Sequence, residues 1–496
     1  MATLGIDLCD AAFQAAIANH DEARPLTIAD AQGSGEWPGF AYFDGQNFAF
    51  GRAAEDNWFV HPRRVAHTFW ARLAHEPSTI GPIGKAAPFS ELAFHFFGDF
   101  VRRATAAAQA DKVVLAVPGA YLKDPATEEE KIGLLLGMAG ELDLPLTAIV
   151  DEACATLCDP RAGGFNPALP VVLIDLHLEG ADLTLLTAEE HLERRDFIHL
   201  PQSGTAQLLK NFTAAMGNRF LRHTAFDILE DGRIEQLFFR QTKDFVLNGA
   251  PEHRFQINTA KRAYEMLAKR DQLVADAQGF VATLVQGLQS FLHHSAHAGG
   301  PCTIALTDRA AIVPGLEERL RTAGFHRILK LAAGAAACGA ARIGEHRSAP
   351  PADLADVPVD TAVPVALTRR SAAAPWEAHL QKLRASGAAR LQPTHAVLDG
   401  IGQPIAAGAR FTIGLGSLGA DLALPAAFEI ADDCSIPLQR EGGRLWFVDH
   451  AARAIASSAA RTPVEAGDRI TVRCGEASAE ILFAHCNGLA AGRAHD

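Results

Sequence analysis

No apolar run in the chain approaches the roughly 20 residues that a membrane-spanning helix needs, so membrane insertion is not expected. Positive charge is scarce as well: 45 Lys and Arg stand against 58 Asp and Glu, a formal net charge of −13. With a pI near 5.8, this balance argues against nucleic acid or an anionic membrane surface and leaves other proteins as the expected partners. The eight cysteines are scattered. Cys154 and Cys158 are four apart on an expected helix, too little for a zinc site, and all eight read as reduced core thiols. Met1-Ala2-Thr3 runs straight into a strand pattern without a basic n-region or apolar h-region, so no signal peptide is read and a cytoplasmic location is expected. What is present is ordinary globular material: 496 residues, 48% hydrophobic and 21% charged, enough for more than one domain with real cores.

The most informative stretch is Pro170 to Thr187, PVVLIDLHLEGADLTLLT. A continuous apolar run ends in Asp175, a short break holds Gly180 and Asp182, and a second apolar run follows. The pattern predicts a buried strand, a tight turn with a carboxylate at its mouth, and a returning strand. Thr3 to Ile17 repeats it more weakly, with Asp7 ending the first run and Cys9-Asp10 in the break. Two such units about 170 residues apart predict a duplicated α/β domain whose hairpins face one cleft, a place suited to a nucleotide phosphate chain.

Between the hairpins, Leu92, Phe96, Phe97, Phe100 and Val101 fall on one face of a helix over 90–108. Lys112 to Val117 reads as a buried strand stopped by Pro118-Gly119. A helix carrying Ile132, Leu135, Leu136 and Met138 follows, then a strand at Thr147 to Val150 and a helix that Asp151 is placed to cap. From Thr205 to His297 the pattern is mostly helical with one strand at His253 to Ile257. His223, alone in a helical segment of mixed polarity, reads as structural, and the group His293, His294 and His297 lacks a carboxylate at ligand spacing. Residues 347–390 read as a Pro/Ala-rich linker with a short helix at Trp376 to Ser386. Residues 391–490 read as a small all-β sandwich.

Strand-Val117-Pro118, amphipathic helix, strand, Asp151-Glu152-Ala153-Cys154-Ala155, then strand-Asp175-x6-Asp182 is the order seen in heat-shock chaperone ATPase domains of the DnaK type. Residues 1–346 therefore resemble that family, part of the actin/hexokinase superfamily. Phe50-Gly51-Arg52-Ala53-Ala54 is similar to its Gly-x-x-Ala segment, and Thr68 to Leu73 to the stretch around its catalytic lysine. Ala260-Lys261-Arg262 resembles its adenosine-side helix, Leu306 to Pro314 its Gly-Gly-x-x-x-x-Pro turn, and Gly334 to Ala341 its closing small-residue helix. The resemblance implies a duplicated actin-like ATPase fold, two lobes around a cleft, binding ATP or ADP with magnesium. It implies catalytic roles for Glu152 and Asp175, water-mediated magnesium at Asp7 and Asp175, and nucleotide contacts at Asp7, Asp10, Asp182, Gly180, Gly204, Lys261, Arg262 and Asp308. Residues 391–490 resemble a forkhead-associated domain in Thr412-Ile413-Gly414, Asp421 to Leu424 and Val464 to Ile470.

The chain departs from both patterns where phosphate would be held. The first turn reads Asp7-Leu8-Cys9-Asp10-Ala11 and the second Asp175-Leu176-His177-Leu178-Glu179-Gly180, without the glycines and hydroxyls that offer backbone N–H groups to phosphate. The catalytic lysine position falls on Ala71, and Asp308-Arg309 occupies the glycine pair of the adenosine turn. In the C-terminal domain Leu415 stands where the phosphate-binding Arg belongs, Ser435 is kept, and Leu438 replaces a His. These losses point to a pseudo-ATPase adaptor or assembly factor working through protein–protein contacts. The alternative is an active or slow Mg-ATP-dependent chaperone ATPase. A sugar or acetate kinase would need the same missing glycines and a base that is not evident.

Overall fold

The computed structural model describes residues 2–19, 22–29, 35, 37–78, 80–81, 86–159, 161–162, 165, 169–260, 262–295, 301–368, 376–381, 391–398, 401–405, 410–414, 421–424, 436–441, 444–448, 461–474 and 477–485. The chain is mixed α/β and divides into two compact units, Met1–Arg369 and Arg370–Asp496. No helix among the described residues is long and apolar enough to cross a membrane.

The first unit opens with β1 (Thr3–Asp7), β2 (Gln14–Asn19) and β3 (Glu22–Leu26). A small sheet of β4 (Ala41–Phe43), β5 (Phe48–Phe50) and β6 (Val65–Ala66) follows, carrying α1 (Arg52–Glu55). Then come α2 (Phe89–Ala107), β7 (Lys112–Val117), α3 (Pro125–Glu141), β8 (Leu146–Asp151) and α4 (Glu152–Leu157). A second series holds β9 (Val171–Leu176), β10 (Gly180–Ala188), β11 (His191–Pro201), α5 (Thr205–Thr224) and α6 (Gly232–Leu247). It continues through β12 (Glu252–Asn258), β13 (Ala263–Lys269), α7 (Arg270–His294), β14 (Thr303–Leu306), α8 (Asp308–Ala311), α9 (Leu316–Thr322) and β15 (Ile328–Lys330). Helix α10 (Ala335–Glu345), β16 (Val359–Asp360) and β17 (Ala362–Pro364) close the unit.

The two large sheets, β16-β8-β7-β1-β2-β3 and β15-β14-β9-β10-β11-β17, match in order over five strands and differ in the edge that the short sixth strand joins. In each, an antiparallel meander (β1–β3, β9–β11) is flanked by two parallel strands (β7 and β8, β14 and β15). Strands β1 and β9 are buried throughout, which is why both read as uninterrupted apolar runs. Each half has its own core. Phe13, Trp37, Trp70 and the α2 face Phe96, Phe97 and Phe100 fill the first; Phe212, Phe220, Phe238 and Phe255 lie in the second. The expected helix over 90–108 is α2, and Asp151 caps α4 by accepting from the Ala153 and Cys154 N–H groups.

Three expectations are corrected. Ala260 and Arg262 lie in the connection between β12 and β13 instead of on a helix, and β13 is a second strand where the reading had one. The stretch from 347 is not a free linker, since β16 pairs with β8 and β17 with β11, so the first unit reaches 369. Trp376 to Gln381 is a strand, β18, because it finds a partner ladder that local propensity cannot show.

The second unit is built from β18, β19 (His395–Leu398), β20 (Ile401–Pro404), β21 (Arg410–Gly414), β22 (Leu422–Ala423), β23 (Ile436–Glu441), β24 (Arg444–Val448), β25 (Arg461–Val464), β26 (Arg469–Cys474) and β27 (Ala477–Ala484). Two five-stranded sheets, β18-β26-β27-β19-β20 and β22-β21-β23-β24-β25, share one core of Leu398, Phe411, Ile413, Leu438, Phe447, Ile470 and Phe483. Gly467 takes φ 97° in the turn before β26, where the Asp468 carboxylate accepts from the Glu465 N–H.

Candidate functional site

Both predicted hairpins are present, with Asp7 opposite Gln14 and Asp175 opposite Asp182. They bring the acids of the two halves together, and the guanidinium of Arg309 lies among them. Thr307 caps α8 by accepting from the Ala310 N–H, which turns the next side chain but one into the cleft. Arg309 Nε donates to Asp175 Oδ1 at 3.1 Å, and one terminal nitrogen donates to Glu152 Oε1 at 2.8 Å and Asp175 Oδ2 at 2.9 Å. The other terminal nitrogen donates to Asp7 Oδ2 at 3.1 Å and to the Ala12 carbonyl at 3.4 Å. These contacts use all five N–H donors of the guanidinium. The side chain is only 8% exposed.

Asp175 and Asp7 have further donors. Asp175 Oδ1 also accepts from the Thr307 hydroxyl at 2.7 Å and the Leu176 N–H at 2.8 Å, and Asp7 Oδ1 accepts from the Cys9 N–H. Burial alone would raise the Asp175 pKa, but Arg309 pulls it well below the ordinary carboxylate range. Burial and repulsion from Asp7 and Asp175 push the Glu152 pKa well above its ordinary value. Burial likewise raises Asp7, against the pull of Arg309.

A buried histidine shares this cleft with the guanidinium. His177 projects from the β9–β10 turn, with Nδ1 3.6 Å from Asp10 and 3.4 Å from Cys9 Sγ, and Nε2 3.2 Å from Asp182. Burial acts against a charged imidazole, but Asp182 and Asp10 carry its pKa well above the ordinary value. Burial would raise Asp182, yet His177 and His199 draw it down, His199 through a 2.7 Å contact. Asp10 also accepts from the Leu178 N–H at 2.7 Å, joining the two turns. Cys9, Asp175 and His177 bring possible metal donors within 4.8 Å of one another. Burial holds the Cys9 thiol protonated, with a pKa of about 11, and Arg309 already occupies the Asp175 carboxylate, so these residues fit an ion-pair network better than a metal.

The remaining sequence candidates scatter. Gly180 accepts from the His177 N–H, and a Cβ there would meet the His199 ring. Gly204 precedes α5, where a Cβ would overlap the Leu178 carbonyl, so it serves close backbone approach. Asp308 contacts Gln14 at 3.4 Å. Arg262 is exposed and lies over the Tyr264 ring, away from the acids. Lys261, Leu415 and Ser435 lie outside the described residues, and Leu438 is a core residue. Sequence reasoning placed Arg309 at a lost glycine and missed its role as counter-ion. The available signal was four acids in register with no lysine to balance them. A scan of protein-family models and a search of curated proteins find no match to this chain.

Proposed function

We propose that the first unit is a DnaK-like, actin-type ATPase fold that has become a pseudo-ATPase, and that the protein works as an adaptor or assembly factor through protein–protein contacts. One observation carries this reading: Arg309 spends four of its five donors on the acids that would otherwise organise a magnesium–nucleotide complex, and the fifth on the Ala12 carbonyl. Phosphoryl transfer depends on positioned cations and backbone donors around the phosphates. Here the cation is covalently part of the chain, and the turns present His177 and Glu179 side chains in place of glycine N–H groups. The second unit, read as a forkhead-associated-like sandwich without the phosphate-binding Arg, would be a protein-contact module. Calorimetric titration of the full chain with ATP and with ADP, with and without magnesium, tests the reading. The expected result is no heat and no ligand-dependent rise in melting temperature. Magnesium-dependent binding would overturn it in favour of a slow ATPase that expels Arg309 from the cleft.

A further inference from the structure

A second seam joins the two halves of the first unit on the far side of the β9–β10 turn. Phe40, Ala54, Trp58 and Val65, in and beside the small β4–β6 sheet and α1, form one apolar cluster with Leu178, Ala206 and Phe239 from the other half. Trp58 meets Phe239 edge-on at 5.5 Å, and the Lys210 ammonium lies 4.3 Å above the Trp58 ring. Polar pairs surround these rings. Lys243 donates to both oxygens of Glu55 at 3.0 and 2.7 Å, a pair buried from water. Arg240 holds Asp56 at 2.7 Å, Gln236 accepts from the Phe59 N–H, and His67 contacts Glu179 at 2.7 Å. At Gly232 a Cβ would fall 2.5 Å from the Phe59 carbonyl, so the backbones themselves are in contact.

Elements that part to load and release a ligand are drawn from the low-stability regions of a fold. This seam has a small hydrophobic core of its own, ringed by buried or half-buried ion pairs. We infer that the seam is a constitutive clasp that keeps the halves of the first unit shut without any ligand, an inference that rests on the pseudo-ATPase reading and extends it to how the cleft is regulated. In an opening two-lobed protein, ligand binding is needed to populate the closed state. Here the aromatic seam and the Glu55–Lys243 pair supply that free energy permanently, and the surface formed by the closed halves is what a protein partner meets.

Cys9 reports opening, because it lies fully buried between the two turns, against His177 and the Leu176 carbonyl of the other half. Its alkylation in the native full chain, located by peptide mass spectrometry, follows the population in which the halves part. In the unaltered chain labelling should be slow and unchanged by Mg-ATP. Trp58→Ala should raise the rate about tenfold or more while the cooperative melt persists. Glu55→Gln with Lys243→Gln, which keeps volume and a neutral hydrogen bond, should raise it less and covers the case in which Trp58→Ala does not fold. Rapid nucleotide-independent labelling of the unaltered chain, or an unchanged rate in a folded seam variant, would overturn the clasp and leave the Arg309 reading intact. A calorimetric signal with Mg-ATP would instead sink the pseudo-ATPase reading.

Discussion

Arg309 sits in a site where three carboxylates would be left buried and crowded if it were removed. Breaking a buried pair by deleting one partner typically costs about 3–5 kcal/mol. Arg309→Ala should therefore lower the stability of the first unit by about that much, measured by denaturant unfolding; a change under about 1 kcal/mol would show that the pairs carry little net energy. The same cluster sets a pH dependence. His177 has a folded pKa above its ordinary 6.5, so its contribution is complete below that value and is lost as pH rises through the folded pKa. Glu152, also raised, binds its proton more tightly when folded and acts in the same direction. Melting temperature should thus fall from pH 6.5 towards pH 9, and His177→Gln together with Glu152→Gln should flatten that fall. The acids were legible in the sequence because each ends or follows an apolar run. Their counter-ions were not, because Arg309 is 134 positions from Asp175 and no local pattern links them.

At the scale of elements, glycine shows how context decides. Helix α10 crosses β1 and α4 so closely that a Cβ on Gly339 would overlap the Ala155 carbonyl, and one on Gly5 the Ala337 carbonyl. Gly339→Ala must push α10 away from α4 and should cost about 1–3 kcal/mol. Gly137, on the exposed face of α3, has open space around its missing Cβ. Gly137→Ala should stabilise by about 0.5–1 kcal/mol through helix propensity. Opposite shifts in chemical denaturation midpoints would confirm the pair of predictions. The small-residue run from Gly334 to Ala341 was readable as a closely packed helix. The strand at Trp376 to Gln381 was not, since its identity comes from pairing with β26.

For the whole molecule, the described cores fall within one unit or the other, with Leu398, Phe411 and Ile470 in a cluster drawn from the second unit alone. Scanning calorimetry of the full chain should resolve two transitions, and Arg309→Ala should move the first-unit transition while leaving the other in place. A single transition displaced as a whole would mean that the units unfold as one.

The sequence by itself determined the buried strands β1, β7 and β9, the amphipathic helix α2, the placing of acids at hairpin mouths and the division into an α/β part and an all-β part. Those features depend on apolar periodicity and turn chemistry within a few residues. The tertiary structure alone decided what the acids face, because charge partners, edge-strand ladders and the Trp58–Phe239 seam join residues more than a hundred positions apart. Such contacts are chosen by how whole elements pack, and burial then makes each pairing obligatory: a carboxylate removed from water must find a cation or keep its proton.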